Sequence, residues 1–219
     1  MDTIRLQRKV LNENDVLAAE LRKRFTEAGI LCLNLVSSPG SGKTTLLERT
    51  LEILREKIAI GVIEGDVHTD NDARRLAGYG VPVQQIETGG ACHLDAKMIN
   101  RALKNLPLDG LKLLFIENIG NLVCPSSYDL GEDMKVAIVS TAEGDDKPQK
   151  YPAMFARSGV LVINKTDLLP HVDFDPQAAI GYARALSPDI RIFKLSCTTG
   201  EGLEEWCEWL LGEAEGKGA

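Results

Sequence analysis

The segment SSPGSGKT, residues 37–44, combines residue types that can bind phosphate groups. Its two glycines allow several backbone amides to converge on phosphate oxygens, and a following helix would place its positive N-terminal end beneath them. Lys43 can reach the terminal phosphates of a nucleotide, and the hydroxyl of Thr44 can bind magnesium. The usual motif begins with glycine where this chain has Ser37. Because a strand, this motif and a helix coincide, the segment predicts a nucleotide-binding loop rather than a glycine-rich turn that only caps a helix. The residues predicted to contact the nucleotide here are Pro39, Gly40, Ser41, Gly42, Lys43, Thr44 and Thr45.

The sequence NKTD, residues 164–167, follows the apolar segment GVLVIN and predicts recognition of guanine. The carboxylate of Asp167 can accept hydrogens from N1 and N2 of guanine, whereas adenine offers neither in that arrangement. An unpaired buried carboxylate is costly, so a site of this kind can reject the wrong base by roughly 10⁴-fold or more. Asn164 is expected to brace the loop and Lys165 to lie along the base. The alternative is a polar sequence that simply ends a strand.

A second polar loop, SCTTGEG, begins at Ser196 and follows the next predicted strand. It resembles a further guanine-contacting loop of GTPases, so Ser196 and Cys197 are also predicted to lie at the base. Together with the phosphate-binding loop, these segments predict GTP and GDP as the nucleotides bound.

Magnesium and an attacking water require carboxylates at neighbouring strand ends. Asp66 ends the second predicted strand and Glu117 ends the fourth, so both are predicted to bind magnesium together with Thr44. Many GTPases have D-x-x-G where this chain has Glu117 followed by two residues and a glycine. Asp70 is expected to lie at a solvated helix start, whereas for Asp72 the helix start and a catalytic role both remain open. The predicted catalytic residues are Lys43, Asp66, Asp72 and Glu117.

The sequence GGACHLDA, residues 89–96, places a cysteine directly beside a histidine. Cys92 and His93 follow the third predicted strand and Cys124 follows the fourth, so all three are expected at the sheet edge where ligands collect. Thiolates and imidazole are ligands that zinc and nickel favour. A metal site is therefore predicted, with buried thiols and a capping histidine as the alternative. His68 is a possible fourth ligand, but we do not expect it to bind. We expect the remaining cysteines to be small buried apolar residues: Cys32, Cys197 and Cys207.

Seven short apolar segments, which mostly alternate with amphipathic ones, must position these groups. The predicted strands are LCLNLV from Leu31, IAIGVIEG from Ile58, VPVQQIE from Val81, LKLLFIE from Leu111, MKVAIVS from Met134, GVLVIN from Gly159 and IRIFKLS from Ile190. Several are nearly all apolar, as strands covered on both faces must be. This order predicts an α/β fold of the P-loop NTPase type: a doubly wound, mostly parallel sheet of about seven strands with helices on both faces.

The expected domain organisation has three parts. Residues 1–29 form an N-terminal helical extension, because NENDVLAAELRKRFTEAG has a polar start and a terminal glycine. Residues 30–212 form one P-loop GTPase domain whose loops carry the metal ligands, and residues 213–219 form a frayed tail.

Composition excludes several classes of protein. The formal net charge is -7 and there is no long basic run, so neither nucleic acid nor an anionic membrane is expected as a partner. No apolar stretch approaches the roughly 20 residues needed to cross a bilayer. The start MDTIRLQRKV lacks the apolar core of a secretory signal, and the five scattered cysteines do not form a disulfide framework. We therefore expect a cytoplasmic protein.

The motifs SSPGSGKTTLL, EGDVHTDNDA, GGACHLDA, ENIGNLVCP and NKTDLLP, in this order, resemble the HypB family of hydrogenase nickel-incorporation GTPases. GACH together with ENIGNLVCP is the most specific part, and the match extends from about Thr3 to Leu211. The resemblance implies a slow, magnesium-dependent GTPase of the SIMIBI class, which is related to signal-recognition-particle GTPases and forms a homodimer with GTP. It also implies Cys92, His93 and Cys124 as ligands of nickel or zinc.

Two features of some relatives are missing. The MinD branch has a second lysine near the start of its phosphate loop, where this chain has Ser38 and Pro39. Some relatives carry an N-terminal cysteine-rich or histidine-rich metal site, and since neither is present we expect no high-affinity storage site there.

The function that the resemblance implies is a GTP-hydrolysing metallochaperone that helps to insert nickel into the NiFe-hydrogenase large subunit. Its implied partners are hydrogenase-maturation accessory proteins and the large-subunit precursor. One alternative is a urease-type nickel-insertion GTPase, whose cysteine and histidine lie in one contiguous segment rather than in two. The other is a nucleotide-gated metal-binding scaffold with vestigial GTPase activity, supported only by Glu117 in place of aspartate and Ser37 in place of glycine.

Overall fold

The computed structural model describes residues 3–67 and 69–218, and within this part the core is one seven-stranded sheet. The strands are β1 (Leu31–Ser37), β2 (Ile60–Asp66), β3 (Val83–Glu87), β4 (Leu113–Glu117), β5 (Met134–Ser140), β6 (Ser158–Asn164) and β7 (Arg191–Lys194). Their order is β3-β2-β4-β1-β5-β6-β7, and each neighbouring pair is parallel. The predicted P-loop NTPase fold with its parallel sheet is confirmed.

Eight α-helices connect or flank these strands in the described part of the chain. They are α1 (Thr3–Glu27), α2 (Lys43–Leu54), α3 (Asn71–Ala77), α4 (Ala96–Ala102), α5 (Lys147–Lys150), α6 (Pro152–Phe155), α7 (Pro176–Leu186) and α8 (Leu203–Lys217). Two short 3₁₀ turns lie at Cys124–Ser127 and Thr166–His171. No helix among residues 3–67 and 69–218 is long and apolar enough to cross a bilayer.

The apolar strands are covered on both faces. All seven residues of β1 and all five of β4 are buried. Alternate residues of β1 contribute to opposite layers, since Leu33 packs with residues of α2 and α8 whereas Cys32 packs with residues of α1 and α4. Residues of α6 and α7 cover the β5–β6 side of that second layer. This two-sided burial explains why these strands are nearly continuous apolar runs.

Helix α1 packs on the sheet beside α4 through one apolar stripe. Ala18, Leu21 and Phe25 recur at helical spacing and are fully or almost fully buried. The helix ends at Glu27, and Gly29 then adopts a positive φ of 63°, which only glycine adopts readily. The predicted helix is present, but it begins at Thr3, well before the polar start that the sequence indicated.

The C-terminal segment differs from the expectation of a frayed tail over residues 213–219. Helix α8 continues through Lys217, where Ala214 is buried against the core and the amino group of Lys217 forms an ion pair with Asp133. The many small and charged residues of GEAEGKGA suggested fraying, but packing against the sheet layer overrides that weak propensity.

The indole of Trp206 should be the largest single contribution of α8 to stability. It is fully buried, packs edge-on against Phe193 and donates a hydrogen bond of 3.0 Å to the hydroxyl of Thr50. Trp206→Ala should lower the free energy of unfolding by about 3–5 kcal/mol. Trp209→Ala, on the same helix but with a partly exposed ring, should lower it much less. Urea denaturation followed by circular dichroism measures both, and equal losses would contradict this account.

Candidate functional site

The carboxyl edge of the sheet contains a cleft of about 520 Å³ built around the loop between β1 and α2. Its walls come from the phosphate-binding loop, the end of β2, the start of α3, the segment after β4 and the loop after β6. The lining residues that the sequence singled out are Pro39, Gly40, Gly42, Lys43, Thr44, Thr45, Asp66, Asp72, Glu117 and Lys165. The parallel strands therefore bring residues from five separate segments to one cleft.

The loop from Ser37 to Thr44 has the backbone that close approach to a phosphate requires. Gly42 has a φ of 95°, and a Cβ there would lie 2.5 Å from Nδ2 of Asn164, so no larger residue fits without a shift. Nζ of Lys43 donates a 3.1 Å hydrogen bond to Oγ of Ser37. The residue that departs from the usual motif thus holds the lysine that is predicted to bind phosphate. Burial lowers the pKa of Lys43, while Glu117 and other nearby carboxylates act in the opposite direction.

Two carboxylates lie side by side below this loop. Glu117 on β4 and Glu64 on β2 are partners in the strand register and are 4% and 2% exposed. Oε1 of Glu117 accepts a 2.7 Å hydrogen bond from Oγ1 of Thr44. Within residues 3–67 and 69–218, Oε2 of each glutamate has no hydrogen-bond partner. Burial raises the pKa of Glu64 to about 8, with the charge of Glu117 adding to it, and burial raises the pKa of Glu117 to about 7.

Glu64 lines the cleft but was not among the residues predicted from the sequence. The feature that could have indicated it is a charged residue inside the otherwise apolar segment IAIGVIEG, two positions before Asp66. Two buried glutamates without a full set of partners repel each other when both are ionised, and either protonation or a nearby cation relieves that cost. The donor set of Thr44, Glu64, Asp66 and Glu117 is made of hydroxyl and carboxylate oxygens, which is the set that magnesium prefers.

The aspartates at and after the end of β2 lie in different surroundings. Asp66 accepts a 2.6 Å hydrogen bond from the hydroxyl of Thr69 and ends the strand beside the cleft. Asp72 lies in the first turn of α3, lines the cleft and forms a 2.7 Å ion pair with Arg75. This position is compatible with both hypotheses for Asp72, namely a charge at the helix start and a catalytic role in the cleft. Asp70 forms a 2.6 Å ion pair with Arg74 at the exposed helix start and does not line the cleft.

The two predicted base loops meet next to the phosphate loop. Nδ2 of Asn164 donates to the carbonyl of Ser41 at 2.9 Å, and Nζ of Lys165 donates to the carbonyl of Gly40 at 2.8 Å. Lys165 adopts a left-handed backbone with a φ of 63°, which is uncommon for a residue other than glycine and is held here by its neighbours. These two hydrogen bonds fasten the NKTD loop to the phosphate loop, and that of Asn164 is consistent with its expected bracing role. The placement of Lys165 along the base stays a prediction.

The carboxylate of Asp167 accepts a hydrogen bond from the hydroxyl of Ser196. That hydroxyl in turn accepts from the backbone N–H groups of Thr198 and Thr199 at 3.2 and 3.1 Å, which fixes the second base loop around it. The thiol of Cys197 is buried, and burial raises its pKa to about 11, so it forms a neutral apolar wall.

Among the described residues, Cys92, His93 and Cys124 form the one group of three cysteine, histidine or acidic side chains whose potential ligand atoms are all mutually close. Their ligand atoms all lie within 4.8 Å of one another. Sγ of Cys92 is 2.8 Å from Sγ of Cys124 and 3.7 Å from Nδ1 of His93. Cys92 is exposed and the other two are partly exposed, whereas Cys32, Cys197 and Cys207 are buried. His68 lies outside the described residues.

Two residues beside this cluster were not singled out by the sequence. The ring of Tyr128 stacks on the imidazole of His93, with centroids 3.9 Å apart and an interplanar angle of 24°. Asn121 donates to the carbonyl of Cys92 at 3.1 Å and accepts from the N–H of Val123 at 2.8 Å, so it joins the two ligand-bearing loops. Partial burial lowers the pKa of His93, which favours the neutral imidazole that binds metals.

The nucleotide cleft and the metal cluster share one segment of chain. Glu117 faces the phosphate loop at the start of this segment, and Cys124 lies seven residues later. Between them, Gly120 packs so closely on Pro39 that a Cβ would lie 3.1 Å from Pro39 Cα. The phosphate loop therefore packs on the same short segment that carries Cys124.

Comparison with known proteins agrees with this geometry. Residues 31–194 match the model of the CobW/HypB/UreG nucleotide-binding domain family. Over 208 residues, 94% of this chain and 68% of the relative, the chain is 54% identical to hydrogenase maturation factor HypB of Azotobacter chroococcum.

Two solved structures are also similar. HypB of Archaeoglobus fulgidus has a TM-score of 0.86 at 39% identity, over 93% of this chain and 99% of that one. HypB of Helicobacter pylori, solved in complex with nickel, has a TM-score of 0.88 at 41% identity, over 93% and 95%. The chain therefore belongs to the CobW/HypB/UreG family of nucleotide-binding proteins, and within that family to the HypB hydrogenase maturation factors.

Proposed function

We propose that this protein is a GTPase that carries nickel and helps to insert it into the large subunit of a NiFe-hydrogenase. The observation that carries the proposal is the cluster of Cys92, His93 and Cys124 at the same sheet edge as the nucleotide cleft. The relatives are named hydrogenase maturation factors, and one of them was solved with nickel. The partners we propose are hydrogenase-maturation accessory proteins and the large-subunit precursor. The thiol ligands must stay reduced, which fits the cytoplasm.

The cleft residues support GTP and magnesium as the ligands. In this proposal the phosphate loop and Lys43 hold the phosphates, while Asp167 reads the edge of guanine. Magnesium, when bound, neutralises charge on the transferred phosphoryl group. Thr44, Asp66 and Glu117 are the residues that would hold it, and the unpartnered oxygen of Glu64 adds a fourth candidate. Asp66 and Asp72 are proposed to orient the attacking water, although Asp72 is engaged by Arg75 here.

Nickel is the proposed cargo, with zinc as the other ion that the same donors accept. Three protein ligands leave such an ion open, whereas two protomers would supply six. Cys92 is exposed, and the side chain next to Cys124, Val123, is 60% exposed, which suits an edge that faces a second copy. We propose a homodimer in the GTP state, so that hydrolysis loosens the dimer and lowers the affinity for metal through one two-state equilibrium.

The two alternatives predict different results. A urease-type GTPase has its cysteine and histidine in one contiguous segment, whereas this chain draws its cluster from two segments, 89–96 and 117–124. A scaffold with vestigial GTPase activity would bind nucleotide without turnover. Ser37 in place of glycine was one of the two observations that favoured this scaffold hypothesis. In the structure Ser37 accepts a hydrogen bond from Lys43, so this departure from the motif gives no support to the loss of GTPase activity.

Nucleotide choice should depend on Asp167. Asp167→Asn should shift preference from guanosine to xanthosine nucleotides, because an acceptor is replaced by a donor at the base edge. Asp189→Asn, an exposed position on the connection after α7, is the matched control and should leave the preference unchanged. Competition binding with GDP, xanthosine diphosphate and ADP measures the effect. Equal affinity of the unmodified protein for ADP and GDP would contradict the assignment.

GTP turnover should separate the cleft residues. Lys43→Ala should abolish tight nucleotide binding, and Asp66→Ala should slow single-turnover hydrolysis by roughly 10²-fold while nucleotide still binds. Asp70→Ala is the control, since it removes a carboxylate four residues away that pairs with Arg74 outside the cleft. Phosphate release from purified protein reports the rates. No turnover by the unmodified protein would favour the vestigial scaffold.

Metal affinity should respond to the nucleotide. A non-hydrolysable GTP analogue should raise the dimer fraction and tighten nickel or zinc binding by about fivefold or more relative to GDP, because linked equilibria strengthen each other equally. Cys92→Ala and Cys124→Ala should each remove most metal binding, and His93→Ala should be milder. Cys207→Ala, a buried thiol on α8, serves as the control. Chelator competition and sedimentation measure both quantities. Identical metal affinity and an unchanging monomer in both nucleotides would refute the linkage.

A further inference from the structure

We infer that Asn14 of helix α1 is a positioning residue for the metal cluster, an inference that rests on the proposed metal function. Asn14 is 7% exposed, and its carboxamide lies between the two segments that follow the metal ligands. Oδ1 accepts from the N–H of Ala96 at 2.9 Å, and Nδ2 donates to the carbonyl of Asp129 at 2.9 Å. Ala96 comes three residues after His93, and Asp129 comes five residues after Cys124. One side chain thus bridges both ligand-bearing loops.

The first of these hydrogen bonds fixes the start of α4. The first N–H groups of a helix have no partner within the helix. The carboxylate of Asp95 accepts from the N–H of Met98 at 2.7 Å, and Asn14 accepts from the N–H of Ala96. The hydrogen bond from Ala96 to Asn14 therefore ties the first residue of α4 to α1. Because Cys92 and His93 lie in the turn that precedes this residue, its position restricts where they can lie.

The second hydrogen bond belongs to a set of contacts from α1 to the other loop. Nη2 of Arg22 forms a 2.6 Å ion pair with Oδ1 of Asp129 and also donates to the carbonyl of Glu132 at 3.2 Å. Burial acts to raise the pKa of Asp129, but hydrogen bonds from Arg22 and Gly131 and the charge of Arg22 together outweigh it, so the pKa is lowered. Between Asp129 and Cys124 lies Tyr128, whose ring stacks on His93. Movement of Asp129 would therefore move the ring that supports a metal ligand.

A second brace reaches the same loops through the sheet. Oδ1 of Asn118 accepts from the N–H of Leu94 at 3.3 Å, and its Nδ2 donates to Asn34 at 3.2 Å. Asn34 donates to Glu132 at 3.1 Å, and Glu132 pairs with Lys135. These residues are buried in the core, so substituting them would disturb the whole fold. Asn14 lies on α1 rather than on or beside a strand, so of the residues that contact the two loops it can be substituted with the least effect on the sheet.

The nucleotide cleft does not include Asn14, whereas Asn118 of the second brace does line it. The residues that line the cleft come from the phosphate loop, β2, α3, the segment after β4 and the loop after β6, and α1 contributes none of them. A loss of the Asn14 bridge should therefore act on metal binding and leave nucleotide binding unchanged. A general loss of stability would instead lower both.

The test uses cobalt(II), whose thiolate charge-transfer band reports the sulfur ligands directly, on the full chain with GDP bound. Asn14→Ala should weaken cobalt binding about tenfold or more and reduce the charge-transfer intensity, since a supporting partner of the ligands is lost. GDP affinity should stay within about twofold of the unmodified protein. Asn14→Asp keeps the acceptor for Ala96 but turns an oxygen towards the carbonyl of Asp129, so it should also weaken cobalt binding, and it serves if the alanine variant folds poorly.

Phe25→Leu is the matched control, because Phe25 is a buried residue of α1 eleven positions from Asn14. It should lower stability while cobalt affinity and the charge-transfer band stay unchanged. Cobalt affinity within twofold for both Asn14 variants, or an equal loss in Phe25→Leu, would overturn the positioning role and leave the metal function standing. Failure of the unmodified protein to bind cobalt, or binding that Cys124→Ala does not remove, would overturn the metal function and the positioning role with it.

Discussion

All seven strands of the sheet run in the same direction, and the rest of the molecule depends on this constraint. In a parallel sheet the carboxyl ends of the strands meet at one edge, and the loops that leave them are brought together there. The phosphate loop follows β1, the carboxylates end β2 and β4, and the base loops follow β6 and β7. The predicted metal ligands follow β3 and β4 at the same edge. The common strand direction therefore places the nucleotide cleft and the Cys92, His93 and Cys124 cluster at one edge of the sheet.

This edge of the sheet also contains buried ionisable side chains, and their burial opposes folding of the free protein. Lys43, Glu64 and Glu117 are nearly buried, and the two glutamates are neighbours in register. Removing carboxylates from water raises their pKa and opposes their ionised form, and each lacks a partner for one oxygen within the described residues. Groups held in this way gain most when a cation binds, because the ion supplies the missing interaction. The cleft is thus arranged for a bound state at some expense to the free protein.

Residues 117–124 connect the nucleotide cleft to the cluster of Cys92, His93 and Cys124. Glu117 contacts Thr44, Gly120 packs on Pro39, and the stretch ends at Cys124. Such contiguous packing gives a physical route by which the two sites can influence each other. Helix α1 contacts the segments that follow His93 and Cys124 through Asn14 and contributes no residue to the lining of the cleft.

The sequence alone determined the strands, the phosphate loop, the NKTD motif and the Cys-His pair, because each depends on local periodicity or on a few adjacent residues. Tertiary structure decided the rest. Asn14 lies 82 residues from Ala96 and 115 from Asp129, so no local pattern could reveal that it bridges them. Glu64 became part of the site only when β4 paired with β2, and the end of α8 became ordered only by packing on the core. Partners distant in sequence are chosen by the fold, and their roles follow from contacts that a linear pattern does not contain.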